Sequence, residues 1–254
     1  MQVKLLQLNI WYGKYLEEIV SFVKKHDFDI LHFQEVSGGR FSDRTNDLFT
    51  VLKEELGLSG VQAKTWNIQG EKESYEGNAT LFKQSLRLEK EAAVYLKPYR
   101  EIADYEKRDI HQDPRCAIVT TLSLSGKRLT TVNTHLTVGP NSEDEPYKVE
   151  QGKILYEYMQ TVPTPFILSG DFNVNPKSQI VRWIDTLARN LTTEHTVANT
   201  LNPKIHRASH LFPPGIAVDY IYVSQDIQVK SFSVIQDDEA RLSDHLGLTV
   251  KIEL

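Results

Sequence analysis

In the stretch Pro165-Phe166-Ile167-Leu168-Ser169-Gly170-Asp171-Phe172-Asn173, an apolar run passes directly into a turn that carries a carboxylate and a carboxamide. Pro165 to Leu168 read as a buried strand, since a strand covered on both faces needs no polar alternation. Gly170 to Asn173 read as the turn that follows it. A plain turn uses the same residue types, so the stretch decides the fold only if the arrangement recurs along the chain.

It recurs toward both ends. Leu6 and Leu8 alternate with polar neighbours, as in a half-buried strand that ends at Asn9, and Leu16, Ile19, Val20 and Val23 follow at helical spacing. Asp29-Ile30-Leu31-His32-Phe33 reads as a second buried strand leading into Gln34-Glu35. Leu48, Val51, Leu52 and Leu56 form a helical stripe that Gly57 can terminate. The chain therefore opens as βαβα. Beyond it, residues 79–82, 86–96, 115–124 and 128–136 are β-rich, with Ser125-Gly126 as a hairpin turn and Asn133-Thr134-His135 in the last of them. Pro146 suits the first turn of a helix carrying Ile154, Leu155 and Tyr158. Residues 218–223, 227–234 and 246–252 complete a second strand set, bordered by Asp219-Tyr220 and Ser243-Asp244-His245. Two β-rich halves flanked by helices predict an α/β sandwich, with two sheets face to face and helices on their outer surfaces. Periodicity alone equally describes a doubly wound sheet.

Composition sets wide bounds. The chain has 254 residues, 40% hydrophobic and 25% charged, which is ordinary globular composition and fits one domain over residues 1–254. A formal net charge of -5 is not the basic footprint of many nucleic-acid binders, although a local basic groove stays open as an alternative. Cys116 is the only cysteine, which excludes an intramolecular disulfide and a cysteine-rich zinc site. The segment Met1 to Leu8 is too short and interrupted for a signal peptide, and no apolar run approaches membrane-spanning length. The expectation is a cytoplasmic monomer with no stable membrane insertion.

Taken singly, each polar cluster has a structural explanation: Asn9 as a turn residue, Glu35 as a helix-start or surface carboxylate, His135 as a core histidine, Ser243-Asp244-His245 as a turn cap. Together they are different, because six strand ends in one chain supply histidines, carboxylates and carboxamides at once. Hydrolysis of a phosphate ester needs such a set, since negative charge builds on the phosphoryl and leaving oxygens. A hard magnesium ion, with manganese as substitute, would meet that charge if held by Glu35 with Asn9 and Asp244 assisting. Asp171 and Asn173, one residue apart in the turn, can flank a single water as base and positioner. A histidine facing phosphate needs a carboxylate on its other nitrogen, and Asp219 is the natural partner for His245.

In chain order, Leu8-Asn9, Gln34-Glu35, Asn133-Thr134-His135, Gly170-Asp171-Phe172-Asn173, Asp219-Tyr220-Ile221 and Ser243-Asp244-His245 resemble the endonuclease/exonuclease/phosphatase superfamily. The resemblance runs from residue 9 to residue 245. It implies a four-layer, DNase I-like α/β sandwich of two mainly antiparallel sheets, with the site at one end, and a divalent-metal phosphoesterase activity. It likewise implies Glu35 as the metal carboxylate with Asn9 and Asp244 beside it, and Asp171 with Asn173 on the nucleophilic water. Asp219 and His245 resemble the family's paired Asp and His; His135 resembles the second histidine, which contacts phosphate or protonates the leaving group. Gly77-Asn78-Ala79-Thr80-Leu81 is similar to the strand near the family's cleft, which makes Asn78 a substrate-binding candidate. The Asn-Thr-His-Leu element at 133–136 resembles the branch of secreted DNases, sphingomyelinases, tyrosyl-DNA phosphodiesterases, deadenylases and inositol phosphatases rather than the exonuclease III type. With no possible internal disulfide, the secreted DNases fit less well.

Other residues carry two readings each. Arg115 is either a phosphate contact or a surface arginine. Trp11, Tyr12 and Trp66 either stack on a base or lipid headgroup or pack inside. The acidic run Asn141 to Glu145 reads as a solvated helix start, and His111, His195, His206 and His210 fit no motif. Three function classes remain: an enzyme of this superfamily, a scaffold that kept the fold without the chemistry, and a nucleic-acid-binding module. The complete motif set favours the enzyme. The leading substrate is a nucleic-acid or nucleotide-like phosphodiester, with an inositol or sugar phosphate or a sphingomyelin-like lipid as the alternative.

Overall fold

Period-two alternation decides how the strands bury their side chains. The computed structural model describes residues 2–42 and 47–254, so Met1 lies outside the described residues. In chain order its elements are β1 (Gln2–Asn9), α1 (Leu16–His26), β2 (Ile30–Gly38), α2 (Leu48–Leu56), β3 (Ser59–Ile68), β4 (Glu71–Phe82), β5 (Arg87–Lys97), β6 (Arg100–Ile102), β7 (Arg115–Leu124), β8 (Lys127–His135), α3 (Pro146–Met159), β9 (Phe166–Asp171), α4 (Gln179–Asp185), β10 (Arg189–Asn190), α5 (Leu191–Glu194), β11 (Asp219–Val223), β12 (Gln228–Val234) and β13 (Leu248–Glu253).

One sheet has the order β12-β13-β1-β2-β4-β3-β6 and the other β10-β11-β9-β8-β7-β5. Only β1 with β2, β3 with β6, and β8 with β9 pair in parallel; the other neighbours are antiparallel. Three apolar clusters define four layers. Leu6, Leu8, Leu31 and Phe33 of the first sheet pack outward on Ile19, Phe22 and Leu52 of α1 and α2. Val132, Leu168 and Tyr220 of the second sheet pack outward on Leu155, Ile180 and Ile184 of α3 and α4. Between the sheets Val3, Leu5, Ile30 and Val250 meet Leu129, Ile167 and Ile221. The sandwich is therefore observed, and the doubly wound alternative is not.

The inner face of each central strand changes character along its length. In β1 it runs Val3, Leu5, Gln7, Asn9; in β2, Ile30, His32, Gln34; in β8, Leu129, Thr131, Asn133, His135; in β9, Ile167, Ser169, Asp171. Strand β11 runs the other way and begins at Asp219, followed on the same face by Ile221 and Val223. Apolar residues thus gather at one end of the interlayer and polar ones at the other. The pairing puts Asn9 opposite Gln34, His135 opposite Asp171, and Asp171 opposite Asp219.

Most predicted elements are found near their expected bounds, including α2 ending at Gly57, α3 with Pro146 in its first turn, and positive φ at Ser125 and Gly126 in the β7–β8 hairpin. Strand β3 and helix α4 carry no clear period in the sequence. The first zigzags beside β4 with two register shifts, and the second starts where the Ser178 hydroxyl accepts from the Ile180 amide.

Candidate active site

The polar ends of the strands converge on a cavity of about 170 Å³ lined by Tyr12, Glu35, Glu76, Asp113, Arg115, His135, Asp171, Asn173, His206, Asp244 and His245, with Arg108, Ile110 and Val138 at its walls. Nine of the ten sequence candidates line it or bond to a residue that does, and Asn78 is the exception. Three lining residues, Tyr12, Glu35 and Asn173, hold φ values of 55°, 56° and 52°. Non-glycine residues adopt that region at a cost and cluster there at sites whose surroundings over-determine them. Glu35 sits where β2 slips register against β4 between Phe33 and Val36, and the bulge turns its carboxylate toward the cleft.

Asp171 is the hub. Its Oδ2 accepts from Asn9 Nδ2 at 3.1 Å and lies 3.6 Å from His135 Nε2 and 3.7 Å from His245 Nε2. Its Oδ1 accepts from the Asn173 amide at 2.9 Å. Burial, offset by attraction to His245, pushes the Asp171 carboxyl up to about 6. His245 Nδ1 lies 2.9 Å from Asp219 Oδ2, and Asp219 Oδ1 accepts from Gln7 Nε2 at 2.9 Å. Burial works against a charged His245, but Asp219, Asp171 and Asp244 overcome it and hold the ring well above its usual range. His135 goes the other way: burial, Arg115 and His245 all depress it, and its Nε2 lies 3.2 Å from Asn173 Nδ2. The two histidines that face Asp171 are therefore driven apart, His245 toward the cation and His135 toward the neutral ring, a separation set by environment.

The buried amides behind the hub tie the two sheets together. Gln7 Nε2 also donates to Gln34 Oε1 at 3.0 Å, Gln34 Nε2 to Asn133 Oδ1 at 2.7 Å, and Asn133 Nδ2 to the carbonyl of Ala79 at 2.8 Å. Burial of such groups costs stability unless they are paired, and here the pairing fixes the strands that carry Asn9, Glu35, His135 and Asp219.

On the cleft's other side Glu35 Oε1 accepts from Asn9 Nδ2 at 3.0 Å, while Asn9 Oδ1 accepts from the Trp11 amide at 3.0 Å. Burial, Glu76 and Asp244 push the Glu35 carboxyl up to about 8. A carboxyl whose ionisation is opposed first by burial and then by neighbouring carboxylates marks a site short of positive charge. Oxygen donors alone, from Glu35 and Asp244 with Glu76 nearby, suit a hard divalent ion such as magnesium or manganese. Among the described residues, the trio whose potential ligand atoms gather within 4.8 Å of one another is Asp171, Asp219 and His245. There, however, His245 and Asp219 are engaged with each other and the ring is a cation, so that trio fits a metal less well than Glu35 and Asp244 do.

Glu76, which no motif announced, takes Arg115 Nη1 on Oε1 at 3.0 Å and Tyr12 Oη on Oε2 at 2.7 Å. Arg115 is 5% exposed with its Nε buried and unpartnered, so the surface-arginine reading is excluded. Trp66 is fully buried against Phe41 and Tyr105, which excludes it as a stacking platform. Asn78 donates to the Cys116 carbonyl at 2.9 Å, tying β4 to β7 behind Arg115, and does not line the cleft. His206, which fitted no motif, does line it. His111 instead packs on Tyr147. Asp144 of the acidic run accepts from Ser178 Oγ at 2.6 Å and from the Gln179 amide at 2.7 Å, and so caps α4.

A four-layer α/β sandwich with a cleft of carboxylates, carboxamides and paired histidines at one end of its interlayer defines the class of protein. The chain belongs to the Endonuclease/Exonuclease/phosphatase family, whose sequence profile matches residues 6–245. Its members are phosphoester hydrolases. Among solved structures it is similar to an endonuclease/exonuclease/phosphatase from Bacteroides vulgatus, at 20% identity and TM-score 0.76 over 100% of this chain and 99% of that one. A mannosyl-6-phosphatase from Bacteroides thetaiotaomicron aligns at 19% identity and TM-score 0.75 over 99% and 100%. The human Nocturnin catalytic domain, solved with a bound sulfate anion, aligns at 21% identity and TM-score 0.72 over 99% and 93%. At these identities the likeness concerns the fold. No curated protein matches the chain by sequence. No helix among the described residues is long and apolar enough to cross a membrane.

Proposed function

We propose that this chain is a magnesium-dependent phosphoester hydrolase that cleaves a compact phosphate ester by in-line attack of water. The observation that carries the reading is the Asp171 carboxylate, raised toward neutrality and set among Asn9, His135, His245 and the Asn173 amide. A base works best with its pKa near the working pH. Asp171 takes the proton from the attacking water, and Asn173, locked at positive φ, positions that water. His245, kept cationic by Asp219, stabilises the phosphoryl oxygens as charge builds on them. Arg115 contributes its unpartnered Nε to the same anion, and His135 forms the neutral part of the wall. Asn78 acts behind Arg115 by holding β7. Glu35 and Asp244 would hold a divalent ion, with Asn9 steering Glu35, and such an ion would supply Lewis-acid stabilisation of the charge on the phosphate ester.

Cavity size bears on the substrate. A volume of about 170 Å³ is below the roughly 300–1,000 Å³ of pockets that enclose drug-sized ligands. The leading reading is a phosphodiesterase acting on a nucleotide-like ester that presents one phosphate to the cleft. The cavity's small volume and the mannosyl-6-phosphatase likeness favour a second, a sugar-phosphate monoesterase. Hydrolysis of bis-p-nitrophenyl phosphate, p-nitrophenyl phosphate and hexose 6-phosphates, with magnesium, manganese or EDTA, separates them. Metal-dependent turnover of the diester above the monoesters supports the first reading. A preference for the sugar phosphates installs the second, and turnover undiminished in EDTA contradicts both.

A further inference from the structure

The cleft wall between Asn202 and β11 is formed by a loop that nonetheless has a fixed attachment. The Asn202 amide donates to the Asp244 carbonyl at 2.7 Å, and Asn202 Nδ2 donates to the Ser243 carbonyl at 3.1 Å and to Asp237 Oδ1 at 2.7 Å. Leu201 forms a bridge with His245. The His206 amide donates to the Asn202 carbonyl at 2.9 Å, and Ser209 Oγ donates to the His206 carbonyl at 2.9 Å. The segment carrying His206 is thus bound to the segment carrying Asp244 and His245. Its ring stands edge-on to that of His245, with centroids 5.6 Å apart and planes at 83°.

The Ala208 amide donates to His206 Nδ1 at 3.2 Å. A ring nitrogen that accepts a backbone hydrogen bond carries no proton of its own, so the proton of the neutral imidazole sits on Nε2. No protein group among the described residues accepts from that Nε2. The residue is half-buried and lines the cleft, so a ligand held there can supply the acceptor. Metal ligation through Nε2 is also disfavoured, because the accepting Nδ1 leaves Nε2 as the protonated nitrogen.

We propose that His206 is a third histidine of the active site, whose Nε2–H donates a hydrogen bond to a non-bridging oxygen of the substrate's phosphoryl group. This rests on the phosphoester-hydrolase reading above. The ring lines the same cavity as His245, Asp171 and Arg115, and an anionic oxygen there is the acceptor that strengthens such a bond most. Holding the tautomer with a backbone amide aims the donor before substrate arrives.

The test compares wild type with His206→Ala and His206→Gln, by calorimetric titration of inorganic phosphate in magnesium and by kcat and KM on p-nitrophenyl and bis-p-nitrophenyl phosphate. Loss of a hydrogen bond to a charged acceptor predicts about 10- to 100-fold weaker phosphate binding and kcat/KM in His206→Ala. Recovery is expected in His206→Gln, whose amide restores a donor, with melting temperature and magnesium affinity unchanged in both. Phosphate affinity and kcat/KM of His206→Ala within twofold of wild type overturn the proposal. Equal losses in both variants with a lowered melting temperature also overturn it, since they mark a structural role. A wild type that turns over esters but binds phosphate independently of His206 sinks this inference alone; one that neither binds phosphate nor hydrolyses any ester sinks the functional reading with it.

Discussion

At the scale of single residues, the site works by giving chemically similar groups different surroundings. His135 and His245 both face Asp171, yet only His245 has a carboxylate on its far nitrogen. Asp219→Asn removes that charge while keeping the shape and the Gln7 contact. His245 then loses its proton at lower pH than in wild type, because its raised pKa depends on Asp219 next after the opposing effect of burial. The expected result is a kcat lowered by about 100-fold or more, with the alkaline limb of the pH–rate profile moved to lower pH and the circular dichroism unchanged. A wild-type profile in that variant contradicts the pairing. Asp219 and His245 were legible in the sequence as strand-end residues of complementary chemistry. Glu76 was not, since an acidic residue inside the charged run Glu71 to Glu76 looks like an exposed edge until β4 is seen to carry it inward.

At the scale of elements, the site is the polar end of five strands whose other ends form the core. The apolar residues predicted the strands, by alternation in β1 and by unbroken apolar runs in β2 and β9, and the polar residues at their ends marked where burial stops. What sequence could not give was register, which depends on contacts between strands far apart in the chain. Gly170 shows how closely that register is held. A β-carbon there would stand 1.9 Å from the Thr134 carbonyl oxygen, so only glycine lets β9 lie beside β8 and bring Asp171 opposite His135. Gly170→Ala is expected to destabilise the fold by roughly 3 kcal/mol, read as a lower urea midpoint, and to reduce turnover in the protein that remains folded. A midpoint shift worth less than about 0.5 kcal/mol contradicts the close-approach argument. Strand β3 and helix α4 escaped the sequence for the same reason, because neither has a pattern that stands without its neighbours.

At the scale of the whole molecule, the sandwich presses two half-sites together. Glu35 and Asn9 come from the first sheet, His135, Asp171 and Asp219 from the second, and the Gln7–Gln34–Asn133 amides bridge them. This assembly gathers more negative charge than it neutralises. Glu35 and Asp171, both raised, favour the folded state when protonated, so their stabilising contribution is complete below the ordinary carboxyl range. It is lost as pH rises through about 6 for Asp171 and about 8 for Glu35. In EDTA the melting temperature is therefore expected to fall across that window, and Glu35→Gln to flatten the fall. A divalent ion removes the cost by replacing the proton. The most direct measurement is calorimetric titration of magnesium into wild type and Glu35→Gln at pH 7, in buffers of different ionisation enthalpy. The account predicts saturable binding by wild type with proton release, and binding weakened by at least about tenfold without that release in Glu35→Gln. Binding by wild type with no proton exchange, or equal affinity in the two proteins, would contradict the assignment of the metal to Glu35.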